Sequence, residues 1–137
     1  QYAHQLDREL DSIDLLSARP DFSILVYPVI TFSERFTHSG SKKNLLGENP
    51  DPDLVTRFSN ELNVDETTPP TFLIHAQDDQ AVPLENSTLY YQALHAAGVE
   101  ASLHIYPKGG HGFAFGMGRG AVANWREVLL DWINNLD

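Results

Sequence analysis

The apolar segment FSILVYPVI at residues 22–30 constrains the fold more than any other feature of this 137-residue chain. Its apolar residues follow one another with few polar interruptions, and many of them are β-branched or aromatic. Such a run is typical of a strand that is buried on both faces, as strands are in a parallel sheet. The segments TFLIHA at 71–76 and ASLHIYP at 101–107 predict a second and a third strand.

Helical patterns separate or follow these strands. Residues 84–98 predict one helix, and Gly98 suits the position just after its last turn. Its shared face is made of Ser87, Tyr90, Tyr91, Leu94 and Ala97. The apolar stripe of a last helix is made of Val122, Trp125, Leu129, Trp132 and Leu136. Asp51-Pro52 predicts the start of a shorter helix, and residues 1–14 have the weak helical spacing of a short surface helix.

The order of these elements is strand, long connection, strand, helix, strand, helix. This is the order of βαβ units, in which parallel strands are joined by helical crossovers. The sequence therefore predicts an α/β fold with three parallel strands and flanking helices, built as a single domain over residues 1–137.

Charge and cysteine content exclude several classes of function. The net charge is −10 and the pI is about 4.8, so the chain would repel phosphate backbones and anionic membranes. We therefore expect no nucleic-acid partner and no membrane partner. The chain has no Cys, which excludes disulfides, thiolate metal sites and a Cys nucleophile.

Acidic residues and a histidine follow two neighbouring predicted strands. Asp78 and Asp79 come after the second strand, and His111 lies in the glycine-rich loop KGGHGFAFG after the third strand. The carboxyl ends of parallel strands meet at one edge of the sheet, where ligands bind and catalytic groups lie. We therefore expect an acid and His111 to emerge side by side at this edge.

The pattern H-x-x-x-D-x-x-V-P at 75–83 and the segment YPKGGHGF at 106–113 together resemble the C-terminal half of the α/β-hydrolase fold. The closer resemblance is to the acetyl-xylan esterase and dienelactone-hydrolase-like esterases. It also includes the segments RPDFSILVYPVI, NLLGENP, TPPTFLIHAQDDQAVPLENS and GVEASLHIYPKGGHGF, and it covers most of residues 19 to 136.

This resemblance implies a serine carboxylic-ester hydrolase that removes acetyl groups from carbohydrate such as xylan. It makes Asp79 the acid and His111 the general base of the catalytic triad. Asp78 would then face solvent or accept hydrogen bonds in a turn. The resemblance implies no cofactor and no metal, and it implies an acylated small molecule or polysaccharide as substrate.

The sequence lacks the nucleophile elbow G-x-S-x-G and the HGGG-type oxyanion segment of this fold. Ser39 follows no predicted strand and has no glycine two positions before it. We therefore expect the chain to be the second half of an enzyme and inactive alone. It begins at Gln1 without a Met or a signal-peptide core, which leaves its compartment undetermined.

Several alternatives stay open. One is the C-terminal half of a prolyl-oligopeptidase-type serine peptidase, which shares the acid and histidine elements. Another is a non-catalytic half-domain. His75 is expected to be packed or hydrogen-bonded within its strand, with metal ligation as the minor alternative. The edge of strand 22–30 should be open, which predicts a homodimer or association with the missing N-terminal half.

Overall fold

Three parallel strands form the sheet of the structure, a computed structural model that describes residues 11–33 and 35–136. The strands lie in the order β1–β2–β3, so that β2 is central. Their bounds are Ser23–Val26 for β1, Thr71–Ala76 for β2 and Ala101–Tyr106 for β3. Leu73 of β2 lies opposite Leu25 on one side and Leu103 on the other.

Four α-helices and two short 3-10 helices complete the described part of the chain. The α-helices are α1 (Ser39–Leu46), α2 (Pro52–Arg57), α3 (Glu85–Ala96) and α4 (Trp125–Asn134). The 3-10 helices are Asn60–Leu62 and Gly120–Asn124. Within the described ranges, none of these helices has the length and apolar character needed to cross a membrane.

The two faces of β2 carry different layers, because successive side chains of a strand point to opposite faces. Phe72, Ile74 and Ala76 join the main apolar core. The core residues contributed from beyond β3 are Phe113, Val122 and Trp125, with Val128, Leu129 and Trp132 of α4 packed against them. The alternate residues of β2 face α3, since His75 is hydrogen-bonded to Ser87 of that helix. The predicted α/β fold with helices on both faces is confirmed.

Most predicted elements are confirmed, with changes at their ends. Strand β1 is shorter than the predicted 22–30, because Tyr27 has a φ of +42° and Pro28 has no N–H to donate. The predicted start of α2 is correct, since the Asp51 side chain accepts a hydrogen bond from the Asp53 N–H (2.8 Å).

Two interpretations of the helices were wrong or incomplete. Helix α1 was not predicted, because it buries none of its residues and has no apolar stripe. Of the predicted surface helix at 1–14, residues 1–10 lie outside the described residues. Residues 12–15 form a turn instead.

Gly116 closes the turn between the histidine loop and the last helices. Its φ is +69°, and a Cβ there would lie 2.6 Å from the carbonyl oxygen of Val122. We expect Gly116→Ala to lower the free energy of unfolding by about 2–4 kcal/mol, since it adds a steric overlap to the cost of a left-handed backbone. Urea denaturation measures the change.

Gly118→Ala is the matched control for this prediction. Gly118 has a similar φ of +73°, but a Cβ there would meet nothing within 4 Å. We expect a loss of about 1–2 kcal/mol from the backbone conformation alone. Equal losses of unfolding free energy in the two variants would show that the steric overlap with the Val122 carbonyl oxygen does not contribute to the effect.

Candidate active site

Asp79 lies three residues beyond the end of β2, in the turn that leads to α3. Its side chain is fully buried. The carboxylate oxygen Oδ1 accepts hydrogen bonds from the backbone N–H groups of Ala81 and Val82, both at 2.9 Å. These two bonds fix the orientation of the carboxylate and leave Oδ2 directed toward the neighbouring loop.

His111 lies in the loop after β3 and reaches the other carboxylate oxygen. Its Nδ1 is 2.8 Å from Asp79 Oδ2. An ionised carboxylate can only accept, so Nδ1 carries the proton and Nε2 of the neutral ring is free to act as a base. The His111 side chain is 38% exposed, whereas its acidic partner is buried. The prediction that Asp79, and not Asp78, contacts His111 is confirmed.

Hydrogen bonding determines the charge state of Asp79. Burial raises the pKa of this carboxyl, but hydrogen bonds from Val82 N–H, His111 and Ala81 N–H together lower it further than burial raises it. The net pKa lies below the usual value. Asp79 is therefore ionised at neutral pH and can orient an imidazole and stabilise an imidazolium.

Asp78 has different hydrogen-bond partners from the adjacent Asp79. Its Oδ1 accepts hydrogen bonds from the backbone N–H groups of Gly109 (2.9 Å) and Gly110 (2.8 Å). The pKa of Asp78 is lowered by the bonds from Gly110 and Gly109 and by the nearby Lys108. The sequence predicted a solvent-facing residue or a turn acceptor, whereas Asp78 holds the loop that carries His111.

We expect Asp78→Ala to release this loop. The amide protons of Gly109 and Gly110 should exchange with solvent on the order of tenfold faster, because each loses its acceptor. Because the folded-state pKa of Asp78 is lowered, the anchor is fully present above the ordinary value of 3.8 and is lost as the pH falls through the folded value. Protection factors measured from pH 7 down to pH 2 test both effects, and unchanged protection in Asp78→Ala would contradict the assignment.

Tyr27 is a site residue that the sequence interpretation did not identify. It follows β1, and its ring centroid lies 4.7 Å from that of His111 and 4.8 Å from that of Phe113. Its φ of +42° is unusual for a residue with a side chain, and such strain often occurs at functional sites. In the sequence, the Tyr-Pro pair that ends the strand was the feature that could have indicated this residue.

Of the remaining sequence candidates, Ser39 lies apart from the pair, whereas His75 lies beside Asp79, with Nε2 3.3 Å from Oδ2. Ser39 begins α1, and no hydrogen bond in the described part of the chain connects it to Asp79 or His111. Both ring nitrogens of His75 have protein partners, as expected for a packed residue. Residues 11–33 and 35–136 contain no group of three or more acidic or histidine side chains that could hold a metal ion.

A groove of about 870 Å³ lies elsewhere, along α1 and the segment before α2. Neither Asp79 nor His111 lines it. We place the candidate active site at the carboxyl edge of β2 and β3, because hydrogen-bond geometry and not cavity size identifies an acid–base pair.

The described residues have the fold of an α/β-hydrolase, with an acid after one parallel strand and a hydrogen-bonded histidine after the next. The chain belongs to the prolyl oligopeptidase family, whose model matches residues 16–136. This membership confirms the resemblance seen in the sequence at the level of the fold.

The chain is similar in sequence to two curated relatives and in structure to one solved protein. The chain is 44% identical over 115 residues to an acetylxylan esterase of Xylanibacter ruminicola, covering 81% of this chain and 24% of the relative. It is 43% identical over 97 residues to endo-1,4-beta-xylanase B of Butyrivibrio fibrisolvens, covering 71% of this chain and 15% of the relative. The chain thus spans a quarter or less of these relatives.

The solved structure is an acetyl ester-xyloside bifunctional hydrolase from Caldicellulosiruptor lactoaceticus. It superposes with a TM-score of 0.90 at 45% identity, over 95% of this chain and 47% of that chain. The match therefore extends to nearly all of the fold described here, and the chain spans about half of that protein.

Proposed function

We propose that Asp79 and His111 are the acid and the general base of a serine carboxylic-ester hydrolase that deacetylates carbohydrate such as xylan. The observation that carries the proposal is the 2.8 Å contact between Asp79 Oδ2 and His111 Nδ1, which leaves Nε2 of a partly exposed side chain without a proton. The names of the relatives favour an ester substrate over a peptide.

In the proposed reaction, His111 Nε2 removes the proton of a serine hydroxyl as the serine oxygen bonds to the acyl carbon. The imidazolium then returns this proton to the leaving alcohol as the ester bond breaks. A water molecule, deprotonated by the same Nε2, hydrolyses the acyl-enzyme and releases acetate and the free serine. Asp79 holds the ring and stabilises its charged form throughout.

We propose that the serine comes from outside these 137 residues, since G-x-S-x-G does not occur in them. The outer edge of β1 supports this proposal, because β1 pairs only with β2 among the described residues. A segment carrying the serine could extend the sheet at this edge. A second copy of this chain is the alternative occupant.

A chimera tests the proposed function. In it, residues 16–136 replace the matching part of the Caldicellulosiruptor lactoaceticus hydrolase. We expect the chimera to release acetate from 4-nitrophenyl acetate and from acetylated xylan, whereas the 137-residue chain alone gives no turnover, because it lacks the nucleophile. Sedimentation of both proteins reports whether β1 pairs with a second copy.

Two results would contradict the proposal. One is a folded chimera that cleaves a prolyl peptide but no ester, which would favour the peptidase alternative. The other is steady ester turnover by the chain alone that disappears in His111→Ala, which would reveal a nucleophile within these residues.

A further inference from the structure

His75 is a fully buried histidine near the carboxyl end of β2, on the face that packs against α3. A buried imidazole must find partners for both nitrogens, because an unpaired polar group in a core is costly. Nδ1 lies 2.7 Å from Ser87 Oγ, and Nε2 lies 3.1 Å from the carbonyl oxygen of Val82. The same Nε2 is 3.3 Å from Asp79 Oδ2.

These contacts determine where the proton of His75 resides. The Val82 carbonyl and the Asp79 carboxylate can only accept, so Nε2 must carry the hydrogen and share it between them. Nδ1 then accepts a hydrogen bond from the Ser87 hydroxyl. The geometry thus defines a neutral ring in the Nε2–H tautomer.

Two imidazoles lie beside Asp79 Oδ2, with Nδ1 of His111 at 2.8 Å and Nε2 of His75 at 3.3 Å. His111 approaches from the loop after β3, and His75 approaches from within β2. Oδ1 is already held by two backbone N–H groups, so the contact with His75 falls on Oδ2 of a carboxylate whose side chain has no exposure.

We propose that His75 is a positioning residue, a neutral hydrogen-bond donor that holds Asp79 Oδ2 in place so that His111 keeps its proton on Nδ1. The proposal concerns the pair whose role in ester hydrolysis is proposed above. Its test uses the 137-residue chain and requires no turnover.

The surroundings of His75 keep it neutral. Burial lowers the pKa of His75, and this effect exceeds the opposing effects of Val82 and Asp79. The charged groups that face it are Asp79 and, when protonated, His111, since Ser87 and Val82 are uncharged. A neutral donor leaves the full negative charge of Asp79 to His111, whereas a second imidazolium would compete for it.

The first experiment is a nitrogen-15 NMR titration of the histidines in the wild-type chain. We expect His75 to show the neutral Nε2–H tautomer at pH 8 and at every lower pH at which the chain stays folded. His111 should show the Nδ1–H tautomer at pH 8. A His75 that is protonated in this range, or that carries its proton on Nδ1, overturns the proposal without any variant having to fold.

The second experiment compares three variants at the same pH. His75→Leu fills the space without a donor, His75→Gln restores an N–H near the position of Nε2, and Ser87→Ala removes the partner on the other side of the ring. We expect His75→Leu to give a mixture of His111 tautomers and at least about tenfold faster exchange of the His111 Nδ1 proton, because one hydrogen bond to the carboxylate is lost. In His75→Leu, carbon-13 NMR should show that the pKa of Asp79 is higher than in the wild-type chain.

Ser87→Ala is the matched control, since it also removes a buried hydrogen bond of His75 but leaves the donor to Asp79 in place. We expect Ser87→Ala and His75→Gln to keep the single His111 tautomer, even where their thermal stability falls. A folded His75→Leu variant with the wild-type His111 tautomer contradicts the proposal. So does Ser87→Ala with the mixed tautomers expected for His75→Leu, because the effect would then follow from lost packing alone.

Discussion

His111→Ala is expected to lower kcat/KM of the chimera for an acetyl ester by about 10⁴- to 10⁶-fold, because residues of a triad act as a unit and loss of the base leaves the nucleophile protonated. The proposed base is the Nε2 atom, which is left unprotonated by the 2.8 Å bond from Nδ1 to Asp79. Initial rates on 4-nitrophenyl acetate measure the loss.

His95→Ala is the control for this variant. His95 is an exposed histidine of α3 that stacks on Tyr91 and does not contact the pair. We expect it to keep activity within about twofold of the parent, as is usual for surface substitutions. A His111→Ala chimera with more than a tenth of the parent rate would exclude His111 as the base.

Asp79→Asn is expected to lower kcat by about 10⁴-fold although it changes no atom positions. Oδ1 accepts two backbone N–H groups, so the amide oxygen must take that place and the NH₂ group must take the place of Oδ2. A donor then faces His111 Nδ1, which must become an acceptor. The proton moves to Nε2, and the base is lost.

The neighbouring acid provides a matched control for the same chemical change. Asp78→Asn retains a carbonyl oxygen that can accept from Gly109 and Gly110. We expect this chimera to keep activity within about tenfold of the parent, since the loop stays anchored. Equal losses in the two asparagine variants would mean that negative charge near the loop, and not orientation of His111, is what the enzyme needs.

The sequence predicted the parts of this site that depend on local order. Strands β2 and β3 are continuous apolar runs, and their parallel arrangement brings Asp79 and His111 to one edge. The family pattern then distinguished Asp79 from Asp78. A single short segment therefore carried enough information to select the acid that contacts His111.

The sequence could not predict contacts that depend on the position of another segment. Asp78 accepts hydrogen bonds from glycines more than 30 positions away, and Tyr27 packs on His111 from a different strand. The contact between His75 and Asp79 lies within one short segment, but it was missed because His75 resembles any packed histidine in a strand. Helix α1 was missed because it buries no residue.

The bond between Asp79 and His111 joins residues 32 positions apart, across the crossover from β2 to β3. A slip of β3 by one residue would displace His111 by about 3.3 Å and reverse the faces of the strand, which is enough to break the bond. Parallel pairing across a helical crossover is also a slow step in folding. The NMR signal of the His111 Nδ1 proton is therefore a probe of refolding. It should appear only when β3 has reached its final register.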